Sequence, residues 1–291
     1  MRLLRARQLP DAGPLSLDDD LVVHADNAVA LPLLADGAFD LIYIDPPFNT
    51  GVPRRGGRLA CVADPDGDRA GFGGRRYASQ RLPGAAFDDD FPEYLDYLAP
   101  RLAEARRLLA PWGTLYLHLD YREAHYCKVA LDGLFGRECF LNEIVWAYDF
   151  GGRSRRRWPA KHDTILVYVR DPERYHFDSA QVDREPYMAP GLVGPEKAAR
   201  GKLPTDVWWH TIVGTSGRER TGYPTQKPEG VVRRAVAASS RPGGWCLDFF
   251  AGSGTLGAAA AALGRRYVLI DQSDDAIRVM EDRLAGVAAT V

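Results

Sequence analysis

Only four cysteines occur in 291 residues, at positions 61, 127, 139 and 246, and no two have C-x-x-C spacing. So sparse a set excludes a disulfide scaffold and a cysteine zinc site, and predicts free thiols in a reducing compartment. Long apolar runs are also missing. No stretch approaches the roughly 20 apolar residues of a membrane span, and Met1 to Pro10 lacks the apolar centre of a signal peptide. A cytoplasmic protein with no membrane partner is expected. The histidine and carboxylate spacings form no ligand cluster, so no metal is expected either. Neither sign of charge dominates: Lys and Arg number 37 against 39 Asp and Glu, for a net charge of −2. That balance argues against a uniformly basic nucleic-acid coat. No internal repeat stands out, and the length suits one large α/β core with a smaller appended region, or two modest domains.

The near-neutral total hides two basic stretches. Thr50 to Leu82 carries seven arginines (54, 55, 58, 69, 75, 76 and 81) against three aspartates, a local excess of +4. Gly151 to Phe177 has the same excess, from Arg153, Arg155, Arg156, Arg157, Lys161, Arg170 and Arg174 against three acids. Two such stretches suit a protein that touches phosphate over one face. Residues 51–86 are rich in Gly, Arg, Asp and Pro with weak periodicity, and predict a long mobile loop.

Elsewhere strands alternate with helices. Strands are expected at 21–26, 39–44, 113–119, 143–148, 163–169, 245–249 and 267–271. Helices are expected at 27–34, 91–109, 123–135, 229–240 and 256–264. Residues 171–222 are irregular and read as a small separate module. The alternation predicts an α/β fold built on a doubly wound, mostly parallel sheet.

The most informative stretch is Asp45-Pro46-Pro47-Phe48, directly after the apolar strand Phe39–Ile44. Two prolines force the chain to turn where the strand ends. The turn gathers a carboxylate, a proline carbonyl and an aromatic ring at a strand's C-terminal edge, where open α/β sheets bind ligands. A carboxylate and a carbonyl together accept both hydrogens of an exocyclic amino group, while the ring stacks on the base that carries it. A second signal is Asp248-Phe249-Phe250-Ala251-Gly252-Ser253-Gly254-Thr255, which places two glycines where a strand turns into a helix. Glycines there let the backbone approach a bound molecule, with amide N–H groups free to donate. Asp271 ends the next strand, where an acidic side chain commonly grips ribose hydroxyls. The stretch is not G-x-G-x-x-G and no lysine follows it, so a nucleoside cofactor without a pyrophosphate fits best.

Asp45 to Gly51, Tyr223-Pro224-Thr225-Gln226-Lys227-Pro228 and Phe250 to Thr255 together resemble the motifs of the S-adenosylmethionine-dependent DNA amino-methyltransferases. That family modifies adenine N6 or cytosine N4, and the motif order resembles its beta group. The resemblance runs from about Val22 to Leu284, broken at 51–86 and 171–220. It implies a circularly permuted class I methyltransferase-like sheet of seven strands with a small target-recognition region. Residues 1–149 would then be the catalytic half, 150–222 the target-recognition region, and 223–291 the cofactor-binding half. The resemblance sets Thr225 and Lys227 near the cofactor's methionine part and Asp26 near its adenine, although Asp26 reads equally as a helix N-cap. Arg153, Arg155, Arg156, Arg157 and Lys161 are the expected contacts to double-stranded DNA. Trp158, Trp208, Trp209 and His210 read either as base-stacking groups or as core.

The sequence departs from the family at Phe48, where Tyr is commoner, at Phe249, often Pro, and at Leu256, often Thr. An Asp at the head of the tetrapeptide favours adenine N6 over cytosine N4 by the same analogy. RNA or protein-amide methyl transfer is the alternative class. A cognate restriction endonuclease and a homodimer stand as open partner expectations.

Overall fold

The computed structural model describes residues 1–10, 13–51, 54–63, 66, 69–70, 76–87, 89–214 and 217–288. Nine strands form its main sheet. From one edge they run β1 (Arg2–Arg5), β2 (Leu21–His24), β12 (Arg266–Asp271), β11 (Trp245–Asp248) and β3 (Phe39–Ile44). The order continues with β7 (Leu109–Leu119), β9 (His162–Val169), β8 (Phe140–Ala147) and β10 (Val207–Trp209). The six strands from β1 to β7 are all parallel; β9 is antiparallel to both β7 and β8, and β10 is parallel to β8. The doubly wound, mostly parallel architecture expected from the sequence is present, with nine strands in place of seven.

Strand β3 is buried along its whole length, as an apolar run covered on both faces must be. Its one charge, Asp40, accepts from Arg241 Nε and Nη2, both at 2.9 Å, and from Trp112 Nε1 at 2.8 Å. Burial acts to raise the Asp40 pKa, but the Arg241 and Trp112 hydrogen bonds outweigh it and hold the carboxyl below its usual value. One apolar cluster fills one side of the sheet under α2 (Tyr94–Leu108) and α3 (Ala124–Phe135). Helix α2 points Tyr94, Leu98, Leu102, Ala105 and Leu108 inward, the stripe that a 3.6-residue period requires. A second cluster lies under α5 (Glu229–Ser239), α6 (Thr255–Ala262) and α7 (Asp274–Ala288).

Two expectations change. The stretch 51–86 carries a three-stranded antiparallel sheet, β4 (Arg54–Ala63), β6 (Arg76–Phe87) and β5 (Arg69–Ala70), in place of the expected mobile loop. Glycines and Pro83 mask its period; Pro83 faces Gly57 next to a shift in register, the kind of place where a strand tolerates proline. Arg75 lies outside the described residues. The segment 171–222, expected as a separate module, packs along the main sheet. It supplies β10, its Trp208 is only 7% exposed within the second cluster, and Asp178 N–H donates to the Ala238 carbonyl at 2.7 Å. Between these points lies the short α4 (Pro195–Arg200). Cys127, Cys139 and Cys246 are buried free thiols. Among the described residues no helix is long and apolar enough to cross a membrane.

Candidate active site

Strands β3 and β11 are parallel neighbours, yet the chain leaves them in opposite directions across the sheet, β3 toward β7 and β11 toward β12. A crevice opens at such a reversal, beyond the strands' carboxyl ends. Both informative stretches leave those two ends. A cleft of about 720 Å³ lies there, lined by Asp26, Asp45, Pro46, Pro47, Phe48, Thr225, Lys227, Asp248, Phe250, Ala251, Gly252, Ser253, Thr255 and Asp271. Of the residues expected from sequence to act on base or cofactor, only Gly254 is absent from its wall. Such a volume is usual for a small-molecule site.

The double-proline corner is held from several sides. Tyr94 donates its hydroxyl to the Pro47 carbonyl at 2.7 Å. Asn49, in a left-handed conformation at φ 53°, donates from Nδ2 to Glu123 Oε1 at 2.8 Å and accepts the Phe91 amide at 2.8 Å. Asp45 emerges with its two oxygens in different states. Oδ2 is bonded to the Lys227 ammonium, and Oδ1 is buried with no hydrogen-bond partner among the described residues. A buried carboxylate oxygen left bare is costly, which marks it as an acceptor for something else. The Lys227 ammonium also lies 4.7 Å from the centre of the Phe48 ring.

The glycine bend differs from expectation in one respect. Its amides do not stand free. Phe250 N–H donates to Asp248 Oδ1 at 2.9 Å, Ala251 to the Ile270 carbonyl at 3.1 Å, Gly252 to Asp271 Oδ2 at 2.8 Å, and Gly254 to the Ala251 carbonyl at 2.7 Å. The bend uses these donors to tie itself to the ends of β11 and β12, because buried N–H groups need partners. The glycines serve shape instead. Gly252 (φ +47°) passes beneath the Tyr223 ring, which a Cβ would meet at 3.0 Å, and Gly254 (φ +70°) presses on Met280 Cγ, at 2.8 Å from such a Cβ. Burial pushes the Asp248 carboxyl well above its usual pKa, with Asp45 and Asp271 adding to the rise against the Phe250 amide. Burial likewise raises Asp271, against the Ser273 and Gly252 amides.

The third stretch is bound to the second. Thr255 donates its hydroxyl to the Lys227 carbonyl at 3.2 Å, and Gln226 accepts from Thr221 N and Oγ1 at 2.9 Å while donating to the Glu219 carbonyl at 2.7 Å. Thr225 sits exposed in a left-handed conformation at φ 59°. Asp26 caps α1 (Asn27–Ala30), accepting Ala28 N–H at 2.8 Å as the N-cap reading expects, and it also lines the cleft.

Several site residues carried no motif. Tyr43 hydroxyl lies 2.7 Å from His118 Nδ1, and His118 Nε2 lies 3.2 Å from Asp163 Oδ2, with the imidazole fully buried 6.0 Å from the Phe48 ring. Burial acts to raise the Asp163 pKa, and the His118 hydrogen bond and charge bring it below its usual value. A histidine inside the apolar strand Gly113–Leu119 was the available signal. Arg101, Tyr97 and Phe91 form the far wall; Arg101 Nε donates to Asn27 Oδ1 at 2.6 Å and Nη1 to the Tyr97 carbonyl at 2.6 Å. Arg283 reaches Thr255 Oγ1 at 3.0 Å beneath the bend.

The basic residues lie apart from the cleft wall. Arg153, Arg155, Arg156 and Arg157 are exposed on the connection between β8 and β9, while Lys161 pairs with Asp149 at 2.9 Å. Trp158 is 95% exposed at that connection and Trp209 is exposed on β10.

A known family matches this arrangement. The N6/N4 methyltransferase family, described as DNA methylase, aligns with residues 39–282, most of the chain. The chain belongs to this family. It is an S-adenosylmethionine-dependent DNA amino-methyltransferase, as the three motifs implied. It is 28% identical over 270 residues to the type II methyltransferase M.HpaI of Haemophilus parainfluenzae, covering 91% of this chain and 74% of that protein. It is equally 28% identical over 271 residues to the DNA adenine methyltransferase YhdJ of Escherichia coli K12, with 90% and 82% covered. Among solved structures, the PvuII cytosine-N4-specific DNA methyltransferase superposes with a TM-score of 0.62 at 12% identity, covering 95% of this chain and 92% of that one. The M1.HpyAVI complex with S-adenosylmethionine gives 0.56 at 19%, covering 90% and 98%. At those identities the two structures speak for the fold. The groups present fit the family's cofactor: the Phe250 ring can cover an adenine, and each Asp271 oxygen keeps a lone pair to accept from a ribose hydroxyl beside the amide it accepts.

Proposed function

We propose that this protein methylates adenine N6 in double-stranded DNA at a defined sequence. The observation that carries the reading is the bare Asp45 Oδ1, buried beside Phe48 at the mouth of the cofactor cleft. An exocyclic amino group inside a duplex cannot reach this corner, so the base has to swing out of the stack. Its nitrogen lone pair is delocalised into the ring and attacks poorly. Asp45 Oδ1 and the Pro46 carbonyl accept its two N–H bonds, draw the nitrogen toward tetrahedral geometry and stabilise the positive charge that grows there. Phe48 holds the ring plane for in-line attack. The bound cofactor supplies a methyl activated by its sulfonium: the carbon–sulfur bond breaks as the carbon–nitrogen bond forms. The extra proton on the methylated nitrogen then leaves, with Asp45 as the adjacent acceptor.

Methyl transfer to cytosine N4 would use the same corner. The aspartate at its head and the 28% identity to a DNA adenine methyltransferase support adenine. Asp26, Phe250, Gly252, Ser253 and Asp271 would hold the cofactor's nucleoside end, and Thr225, Lys227 and Thr255 its methionine end. Residues 150–222 would read sequence, with Arg153, Arg155, Arg156, Arg157 and Lys161 on phosphates and Trp158 among the bases. A restriction endonuclease of the same specificity fits the type II relatives as a partner, and self-association is a matter for sedimentation. Mapping modified bases in genomic DNA with and without the gene, beside labelled methyl transfer to DNA, RNA and protein pools, tests the reading. Methyl groups found on cytosine N4, or only on RNA or protein, would overturn it.

A further inference from the structure

One oxygen of the carboxylate and the ring that an extruded base requires are already engaged by a cation. Lys227 places its ammonium on Asp45 Oδ2 and 4.7 Å from the centre of the Phe48 ring. The residue is only 9% exposed, so this is a desolvated contact and not a surface pairing. A cation in that position resembles the positively charged nitrogen that methyl transfer creates, held by the same two groups. Left there, it would set an ammonium, a sulfonium and a growing positive charge around one carboxylate. Lys227 has to leave before the reaction.

The cleft's charges indicate where it goes. Its described lining carries the carboxyl groups of Asp26, Asp45, Asp89, Asp248 and Asp271 but only two cations, Arg101 and Lys227. Arg101 is held at the α1–α2 wall by Asn27, by the Tyr97 carbonyl and by Asp26 at 3.5 Å. Four amides of the glycine bend are committed to protein acceptors. Of the two lining cations, Lys227 is the one beside the base corner, and a cofactor that brings its own carboxylate can draw on it there. The Lys227 backbone is pinned by the Thr255 hydroxyl on its carbonyl, so the movement available to it is a swing of its four-carbon side chain.

Resting on the proposed function, we propose that Lys227 is a cofactor-operated gate on the base site. In the cofactor-free enzyme its ammonium holds Asp45 and Phe48. The cofactor's carboxylate draws it off, and only then does the corner accept a base. Lys227 is thus a positioning residue that orders binding, cofactor before extruded base.

The test uses the full chain and a duplex carrying 2-aminopurine at the target position found by mapping. Its fluorescence reports extrusion without any methyl transfer. For the wild type, extrusion is expected to rise several-fold with S-adenosylhomocysteine, and to stay low without cofactor or with its decarboxylated analogue. For Lys227→Met, extrusion is expected without cofactor, and S-adenosylhomocysteine affinity falls roughly tenfold by calorimetry, the effect of one charge-assisted hydrogen bond. That variant should no longer distinguish the decarboxylated analogue, whereas Lys227→Arg keeps the distinction. Equal extrusion by the wild type with and without the carboxylate overturns the gate, as does a Lys227→Met protein whose extrusion still needs cofactor. Should Lys227→Met fail to fold, the wild-type comparison of the two analogues decides alone. Wild-type protein that methylates DNA while failing this test loses the gate only; protein that never methylates DNA loses the proposed function itself.

Discussion

Replacing Asp45 by alanine removes both oxygens at once: the one bonded to Lys227 and the bare one that the proposed function gives to the amino group. Removing one preorganised group from a site of developing charge typically costs about 2.7–4 kcal/mol of transition-state stabilisation, or roughly 10²–10³ in rate. Asp45 supplies a full charge as well as an acceptor, so Asp45→Ala should fall at or beyond the upper end. Asp45→Asn keeps an acceptor oxygen of the same reach without the charge, and should lose less, roughly tenfold to a hundredfold. Single-turnover methyl transfer with labelled cofactor, at saturating cofactor and DNA, measures the chemical step. Calorimetry on the same proteins should show cofactor binding still detectable in both variants, since the nucleoside end of the cleft is untouched. Near-normal turnover by Asp45→Ala would refute the reasoning, because the Pro46 carbonyl would then be the remaining acceptor named for the two N–H bonds. Equal losses in the two variants would mean that charge, not hydrogen-bond acceptance, carries the effect.

Three further outcomes follow from local chemistry. Converting Arg153, Arg155, Arg156 and Arg157 to alanine together should weaken DNA binding and flatten its logarithmic dependence on salt, by up to roughly 3–4 in slope at about 0.9 per phosphate contact; an unchanged slope returns the cluster to ordinary surface. Gly254→Ala forces a side chain into a left-handed backbone and against Met280 Cγ, which should cost about 2 kcal/mol and lower the melting temperature by roughly 3 °C. Asp248 has a folded pKa raised by burial, so its contribution favours folding below the unfolded value near 3.9 and is lost as pH rises toward the folded value. Asp248→Asn removes that loss while keeping an acceptor for the Phe250 amide, so the cofactor-free variant should gain stability relative to wild type in melts at pH 7 compared with pH 4.

What was legible in the sequence is what local pattern encodes. The buried run Phe39–Ile44, the helical stripe of α2 and the strand–glycine–helix turn at β11 are each contained in a short stretch, the longest being the 15 residues of α2. The three motifs named the family because each keeps its own chemistry in its own short window. The second sheet did not announce itself. Its strands are broken by Gly56, Gly57, Pro83 and Gly84, residues that read as loop, and their pairing is settled only across the hairpin. Strand β10 is three residues long and finds its place by packing Trp208. The Ala251 and Gly252 amides looked free because their acceptors, Ile270 and Asp271, belong to the next strand. The contact of Lys227 with Asp45 spans 182 positions, so local pattern carries no trace of it.

The sheet explains how stretches so distant come to act together. The cleft needs two parallel neighbours whose chains depart in opposite directions, and β3 with β11 satisfies that condition whichever is made first. Catalytic corner before cofactor bend, as here, is therefore a matter of where the chain is cut, not of which site it builds. The third stretch is placed differently. Tyr223 to Pro228 leads into α5, the helix directly preceding β11, and the Thr255 hydroxyl fixes it to the start of α6. Because α5 and α6 flank the same strand, a side chain at Lys227 can reach both the end of β3 and the bend after β11. That makes it the position from which one cation can answer to the base site and the cofactor site in turn.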